Sequence, residues 1–401
     1  MKILYIHNNY ASDNTGEEHA AEALVNLLRE NGHTVEWYRR SSSELAGSPL
    51  KQVLSIFTGI WNPVAIRDVK KGIQKFCPDV VQVQNVYPLI SPRVIKTVKN
   101  AGLPVVMRCP NYRLFCPTGL FYDPSGNVCE KCTGPGRELW CIRKNCMGSR
   151  GKSIAYALRN YVARITDVYR KYVDVFIVQS EFQRRKFIDL GIDANKICVL
   201  PGITPDLSEN ENSTDGKYVS FVGRVSREKG IDDFIAAASK MPEVQFAIAG
   251  NIPEGVSFKN APGNIEWKGF LNGKDLDDFY HKSAVIVVPS KWYEGFPNVI
   301  TRAMYHSKPV ITTNIGCFPD IIDHGVNGLM YPSGDIDGLV EQIYQILSNP
   351  SEAEQMGKNG KEKAEREYSC EVIFKKLMEV YHKAISSASR LPDVPNIMSL
   401  S

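Results

Sequence analysis

A chain of 401 residues, 43% apolar and 23% charged, has room for two domains that each bury a core, and its composition is that of a globular protein. No apolar run reaches the roughly 18–20 residues that cross a bilayer, and the opening MKILYIHNNY is too short and polar for a secretory signal, so a cytoplasmic protein is expected. The net charge of +4 conceals an asymmetry: residues 1–200 hold 28 Lys/Arg against 17 Asp/Glu, and residues 201–401 hold 20 against 27.

Halves of opposite sign predict two domains with different partners. Residues 108–186 alone carry 15 basic and 6 acidic side chains. Such a surface suits anionic headgroups, an anionic glycolipid, nucleic acid or simply water; no nucleic-acid-binding motif accompanies it.

In chain order, KILYIHN (2–8), TVEWYRR (34–40), DVVQVQN (79–85), PVVMR (104–108), DVFIVQS (174–180) and ICVLP (197–201) read as strands. Ala21, Leu24, Leu27 and Leu28 recur at helical spacing between the first two, and NGH at 31–33 stops that helix. A polar, turn-rich stretch at 200–217 then interrupts the pattern. Beyond it YVSFVGR (218–224), VQFAIAGN (244–251), IEWKGF (265–270), AVIVVPS (284–290) and PVITTNIG (309–316) are again strands with helices between. This alternation predicts an α/β protein of two facing, doubly wound parallel-sheet domains with a ligand cleft between them. The expected division is a first domain at 1–203 with a Cys-rich insertion at 109–150, a linker at 204–217, a second domain at 218–365, a helix at 366–388 and a tail at 389–401. Ile373, Phe374, Leu377, Val380, Tyr381 and Ala384 give that last helix an apolar face.

Several stretches carry chemistry. Gly16, after the first strand and before a helix, lets backbone N–H groups approach an anion. The dinucleotide fingerprint and the P-loop are both absent, which argues against a dehydrogenase or an NTPase. In FVGRVSREKG, Arg224 and Lys229 lie between a strand and the next helix, where they could hold a diphosphate. In PSKWYEGFPNVITRAM, Glu294 occupies a strand-to-helix loop where it can accept bonds from ligand hydroxyls. Val299, Ile300, Ala303 and Met304 form the buried face of that helix, leaving Arg302 at its margin. Six of ten cysteines, Cys109, Cys116, Cys129, Cys132, Cys141 and Cys146, crowd into 38 residues, which in a reducing compartment favours metal binding over disulfides.

The segment EGFPNVITRAMYHSKPVITTNIGCFPDIIDHGVNGLMYPSGD, together with VGRVSREKG, VLPG, CPNYRLFCPTG, VYPLISP and NTGEEHAAEAL, resembles the retaining family 4 glycosyltransferases. The likeness runs over almost the whole chain and is strongest to the bacterial branch that builds capsular, exopolysaccharide or lipopolysaccharide chains. It implies the GT-B fold, with two Rossmann-like domains, a nucleotide-sugar donor on the second, a lipid-linked or saccharide acceptor facing the first, and a C-terminal helix crossing back to the first. Arg224 and Lys229 match the diphosphate-binding pair. Glu294 matches the first acid of the E-x7-E motif, which touches the donor sugar hydroxyls. Gly16, Gly223, Gly295, Phe296, Pro297, Asn298 and Arg302 occupy the remaining donor-binding positions. The family works without a catalytic cofactor or a metal at the diphosphate, by same-face displacement through an oxocarbenium-like transition state. Cys116, Cys129, Cys132 and Cys146 fall where the branch often carries cysteines and suit a structural zinc, with Cys109 and Cys141 left over. The expected protein is therefore a cytoplasmic transferase, held at the inner face of the membrane if the basic RNYVARITDVYRKYV docks it on an anionic leaflet; the same segment reads equally as a helix with its charged face in water.

Four positions depart from the family pattern. The second acid of E-x7-E is Arg302, the histidine before NYRLFCP is Pro110, and two histidines before the N-x-x-P-L-I-S-P stretch are Gln82 and Gln84. A guanidinium cannot accept the ribose hydroxyl bonds that a carboxylate takes, a loss of roughly 1.5–3 kcal/mol each. Arg302 could instead meet an anion on the ligand, pair with Glu294, or stand in water. A catalytically impaired homologue that binds a nucleotide sugar or a partner transferase is the alternative. His7 is the one histidine expected near the cleft, more as a structural than a chemical group.

Overall fold

In the computed structural model, whose described residues are 1–11, 16–204, 216–252 and 261–388, two separate six-stranded sheets are built wholly from parallel pairs. The first contains β1 (Lys2–Asn9), β2 (Thr34–Ser41), β3 (Val80–Val83), β4 (Val105–Arg108), β5 (Val175–Val178) and β6 (Ile197–Val199), in the order β2-β1-β3-β4-β5-β6. The second contains β7 (Tyr218–Val222), β8 (Phe246–Ala249), β9 (Ile265–Gly269), β10 (Ser283–Val288), β11 (Val310–Thr313) and β12 (Leu329–Tyr331), in the order β12-β11-β10-β7-β8-β9. Eleven strands match the expected segments. The twelfth, β12, is three residues at a sheet edge, too short to display a period.

Side-chain alternation explains why the central strands are apolar on both faces. In the first sheet Ile3, Tyr5, Val80, Val106, Val175 and Ile177 point into one core, with Leu24 and Leu28 of the helix Gly16–Glu30. Leu4, Ile6, Val81, Val83, Val105, Met107, Phe176 and Val178 point into the opposite core. The second sheet repeats the arrangement, with Val219, Phe221, Ile248 and Val287 on one side and Ile286, Val288 and Val310 packed against the helix Asn298–Tyr305 on the other.

The chain's last described helix, Cys370–Ala388, joins the first sheet's core through Ile373, Leu377, Val380, Tyr381 and Ala384. Tyr381 donates its hydroxyl to Gln82 Oε1 at 2.5 Å, both residues being buried. Ser369, in extended backbone, separates this helix from the preceding one, Pro350–Tyr368. The expected linker at 204–217 lies almost entirely, and the tail at 389–401 wholly, outside the described residues. Among the described residues no helix is long and apolar enough to cross a membrane.

Each sheet reverses its winding once. In the first the switch falls between β1 and β3; in the second it falls between β7 and β10. Open α/β sheets bind ligands outside the carboxyl ends of the strands at that switch. The loops that follow β1, β3, β7 and β10 are therefore where binding residues belong.

Candidate functional site

The loops after β7 and β10 bring Arg224, Lys229 and Glu294 to the second switch point. Gly230 makes this possible: it has φ +76°, and a Cβ there would lie 1.9 Å from the Pro289 carbonyl oxygen. Only glycine lets the helix Ile231–Lys240 begin so close to the end of β10. Gly250 is pinned in the same way, 1.8 Å from the Gly223 carbonyl. The helix N-terminus and both cations thus stand on one rim.

Glu294 is buried and receives three hydrogen bonds on one oxygen. Lys229 Nζ donates to its Oε1 at 2.6 Å, Ser290 Oγ at 2.7 Å and Trp292 Nε1 at 3.0 Å. Among the described residues no bond falls on Oε2, which keeps that oxygen available as an acceptor. Lys229 also lies 5.5 Å from the Trp292 ring centroid. Arg224 is exposed and pairs with Glu228. Burial raises the Glu228 carboxyl, but Arg224 and Ser226 outweigh it and leave Glu228 below its ordinary value. Both cations thus rest on carboxylates that a diphosphate would compete with. Ser290 and Trp292 were not singled out from the sequence, although both stand beside Glu294 in PSKWYEGFP.

Arg302 does not pair with Glu294. Its Nη2 and Nε donate to Asp277 Oδ1 at 2.6 and 3.2 Å, and His306 Nε2 lies 3.0 Å from the same oxygen. Tyr280 stacks on His306 with ring centroids 5.2 Å apart. Burial raises Asp277, but Arg302 and then His306 outweigh it and hold the carboxyl below its usual range. Burial, aided by neighbouring His281, pushes His306 down to about 4. The helix Gly273–His281 supplies Asp277 from a stretch, KDLDDF, that gave no sign of this role.

The rest of the EGFP turn meets the first domain. A Cβ on Gly295 would lie 2.6 Å from both the Pro110 carbonyl oxygen and Gln179 Oε1, so Pro110 abuts the turn with its backbone. Tyr293 packs on Phe182 at 4.8 Å, and its ring lies 6.3 and 6.4 Å from those of Tyr112 and Phe121. Phe296 stacks edge-on against Tyr368 at 5.2 Å. Pro297 precedes the helix Asn298–Tyr305, and Asn298 donates to the Ile203 carbonyl at 3.3 Å. Gly223 has φ +142° and open space around it.

On the first sheet, Gly16 is exposed at the start of its helix, and a Cβ added there would meet nothing within 4 Å. Its neighbour Glu17 organises a polar patch that the sequence did not reveal. Tyr10 hydroxyl and Asn111 Nδ2 donate to Glu17 Oε2 at 2.9 and 3.3 Å, and Gln84 Nε2 donates to Oε1 at 3.3 Å. Gln84 Oε1 accepts from Tyr5 at 2.6 Å and from buried Arg108 at 3.1 Å. Arg113 donates to Asn85 Oδ1 and to the Tyr10 hydroxyl at 3.2 and 3.1 Å. His7 is buried, takes the Asn85 N–H on Nδ1 at 3.4 Å, and leaves Nε2 without a partner among the described residues. Burial pushes its pKa down to about 4.

The cysteines of the insertion are all free. Burial and the neighbouring Cys116, Cys146 and Cys129 push Cys132 up to about 12. Cys141 and Cys146 share a thiol hydrogen bond that lowers Cys146 and raises Cys141. The expected zinc set thus lies in one neighbourhood. Yet among the described residues no group of three or more His, Cys, Asp or Glu side chains is arranged to hold a metal ion.

Two Rossmann-like parallel sheets of six strands, with binding loops at their switch points, define the GT-B fold. Residues 204–363 match the family model of glycosyl transferases group 1. The chain is 24% identical over 332 residues to an uncharacterized 42.6 kDa protein in the cps region of Klebsiella pneumoniae, covering 75% of this chain and 82% of that one. It is 28% identical over 177 residues to the capsular polysaccharide biosynthesis glycosyltransferase CapM of Staphylococcus aureus, covering 42% of this chain and 46% of that one. Among solved structures, the Anabaena protein HepE in complex with UDP-glucose superposes with a TM-score of 0.65 at 16% identity, over 95% of this chain and 99% of that one.

Proposed function

We propose that this protein is a retaining glycosyltransferase that moves a sugar from a nucleotide-sugar donor to a lipid-linked or saccharide acceptor in capsule, exopolysaccharide or lipopolysaccharide assembly. The observation that carries the reading is the Lys229–Glu294 pair, 2.6 Å apart beside Arg224 at the switch point of the second sheet. The capsular relative CapM and the UDP-glucose complex of HepE support the substrate class.

In this reading Arg224, Lys229 and the N-terminus of the helix Ile231–Lys240 stabilise the charge that develops on the leaving diphosphate. Glu294 accepts a donor sugar hydroxyl through Oε2. The acceptor oxygen attacks the anomeric carbon on the face from which the nucleoside diphosphate departs, and a departing phosphate oxygen takes the acceptor proton. The bond from anomeric carbon to phosphate oxygen breaks as the glycosidic bond forms, with retained configuration. The polar patch of Glu17, Tyr10, Asn85 and Arg113 faces the acceptor side.

The alternative is a homologue that binds the nucleotide sugar without turning it over, and the pairing of Arg302 with Asp277 favours it because no carboxylate stands at the family's ribose position. A panel of nucleotide sugars, assayed for binding and for slow donor hydrolysis, separates the two. Hydrolysis by the wild-type protein that Glu294→Ala abolishes supports the transferase. Tight binding of a donor with no turnover in the presence of any acceptor extract overturns it.

A further inference from the structure

The helix Pro49–Thr58 turns an apolar face to solvent. Leu50, Val53, Leu54 and Phe57 recur at i, i+3, i+4 and i+7, and with Trp61 just beyond they are 50–69% exposed. The helix Arg150–Ile165 touches it and exposes Ile154, Leu158, Tyr161 and Ile165, at i, i+4, i+7 and i+11, by 40–54%. The opposite side of that second helix is also buried in the fold, through Ser153, Ala157, Asn160 and Ala163. Core packing therefore does not account for the outer stripe, and a contiguous exposed apolar face marks a contact surface.

Its charge identifies the contact. Residues 45–67 contain two basic and no acidic residues, and residues 139–166 contain six basic and no acidic residues. Lys51, Arg150 and Lys152 are exposed on the same two helices, and Arg150 stands one turn before Ile154 on the side of the apolar stripe. The arginines further along the helix are otherwise engaged: Arg159 is buried, donating to the Pro117 carbonyl at 3.0 Å, and Arg164 holds Glu138 at 2.7 Å. The outward side of this helix is thus mainly apolar, in contrast to the basic docking helix expected from RNYVARITDVYRKYV. A second copy meeting the same face would bring cation to cation. An anionic bilayer satisfies both features, since Leu, Phe, Trp and Tyr enter the interface while Lys and Arg meet the headgroups.

The face adjoins the first sheet's binding edge. Asn160 Nδ2 donates to the Arg113 carbonyl at 2.8 Å, and Arg113 reaches Asn85 and Tyr10 beyond β3 and β1. Thr58 donates to the Pro88 carbonyl at 3.1 Å. We propose that the paired helices Pro49–Thr58 and Arg150–Ile165 dock the protein on an anionic lipid bilayer and so bring the acceptor side of its cleft to lipid-borne acceptors. Only the word acceptor rests on the transferase reading; the docking surface stands without it.

The test is co-sedimentation of the full chain with vesicles of phosphatidylcholine alone or with about a third phosphatidylglycerol. The wild-type protein is expected to bind the anionic vesicles at least about tenfold more tightly than the neutral ones. Lys51→Glu/Arg150→Glu should erase that preference. Phe57→Ser/Trp61→Ser/Leu158→Ser should weaken binding to the anionic vesicles about tenfold or more while leaving donor binding unchanged. Wild-type protein that stays in the supernatant with anionic vesicles overturns the proposal, as does binding that neither variant alters. A concentration-dependent dimer abolished by the triple substitution, without lipid binding, assigns the face to a second copy and likewise overturns it. The charge variant keeps the test valid if the triple variant fails to fold. Vesicle binding by a protein that binds a donor tightly yet turns it over with no acceptor extract would sink the transferase reading and leave the docking surface intact.

Discussion

Lys229 and Glu294, 65 positions apart in the chain, meet at 2.6 Å where the second sheet reverses its winding. The buried carboxylate holds the cation near the position where a diphosphate would need it. Replacing Lys229 by Ala should lower kcat/KM for the donor by about 10²–10³, the loss typical of one preorganised electrostatic group. Glu294→Gln keeps the shape and should lose most of the activity while retaining nucleotide binding. Isothermal titration with the nucleoside diphosphate and steady-state kinetics separate the two effects. Undiminished turnover in either variant would remove the pair from the mechanism.

Arg302→Glu, which supplies the carboxylate that the sequence resemblance leads one to expect at 302, should not by itself create a working ribose site. The new carboxylate would face Asp277 across the same contact, and loss of this largely buried ion pair should cost about 3 kcal/mol or more. Arg302→Glu/Asp277→Asn removes the repulsion and should recover much of that stability. Chemical denaturation of the two variants tests the coupling; equal stability would show that Asp277 is not the partner that fixes Arg302.

Acid should weaken the fold below neutrality. His7 and His306 are buried and pushed down to about 4 from an ordinary 6.5. Above 6.5 each is neutral whether folded or unfolded. Between 6.5 and 4 the unfolded chain takes up protons that the folded chain refuses, so stability falls as pH drops through that window. The denaturation midpoint should decline over it, and His306→Gln should flatten the decline. A midpoint flat from neutrality to pH 5 would contradict the assignment.

Gly295 should tolerate no side chain. A Cβ would sit 2.6 Å from the Pro110 carbonyl and from Gln179, so Gly295→Ala should hold the two domains apart. Activity should fall at least about tenfold, as expected when positioning is lost by an ångström, and the radius of gyration by X-ray scattering should rise. Wild-type activity in this variant would show that the contact is not part of the working state.

Tyr381→Phe should destabilise the protein by about 1–3 kcal/mol, because Gln82 Oε1 would be left buried without its donor. Thermal unfolding measures this directly. No change would mean that Gln82 finds another partner.

The α/β architecture was readable from the sequence because both sheets are parallel and buried on two faces, giving compact apolar runs such as VVQV and VIVV. β12 escaped because three residues carry no period. The loops bearing Arg224, Lys229 and Glu294 were legible from their place between strand and helix. Partners were not: Asp277 is one acid among three in KDLDDF, and only the fold brings it to Arg302. Ser290 and Trp292 bond to Glu294 through a turn whose geometry no spacing rule anticipates. Glu17 stood next to the noticed Gly16, and a carboxylate in the first turn of a helix is ordinary enough to pass unremarked.

The helix Cys370–Ala388 has a consequence for how the molecule comes into being. It completes the core on one side of the first sheet, and Tyr381 reaches Gln82 across 299 positions. During synthesis, Ile3, Tyr5, Val80 and Ile177 must therefore wait until the second sheet has been made before their cover emerges from the ribosome. Of the two domains the earlier made is the later finished, and a nascent chain stalled in the second would display an apolar sheet face for chaperones to hold.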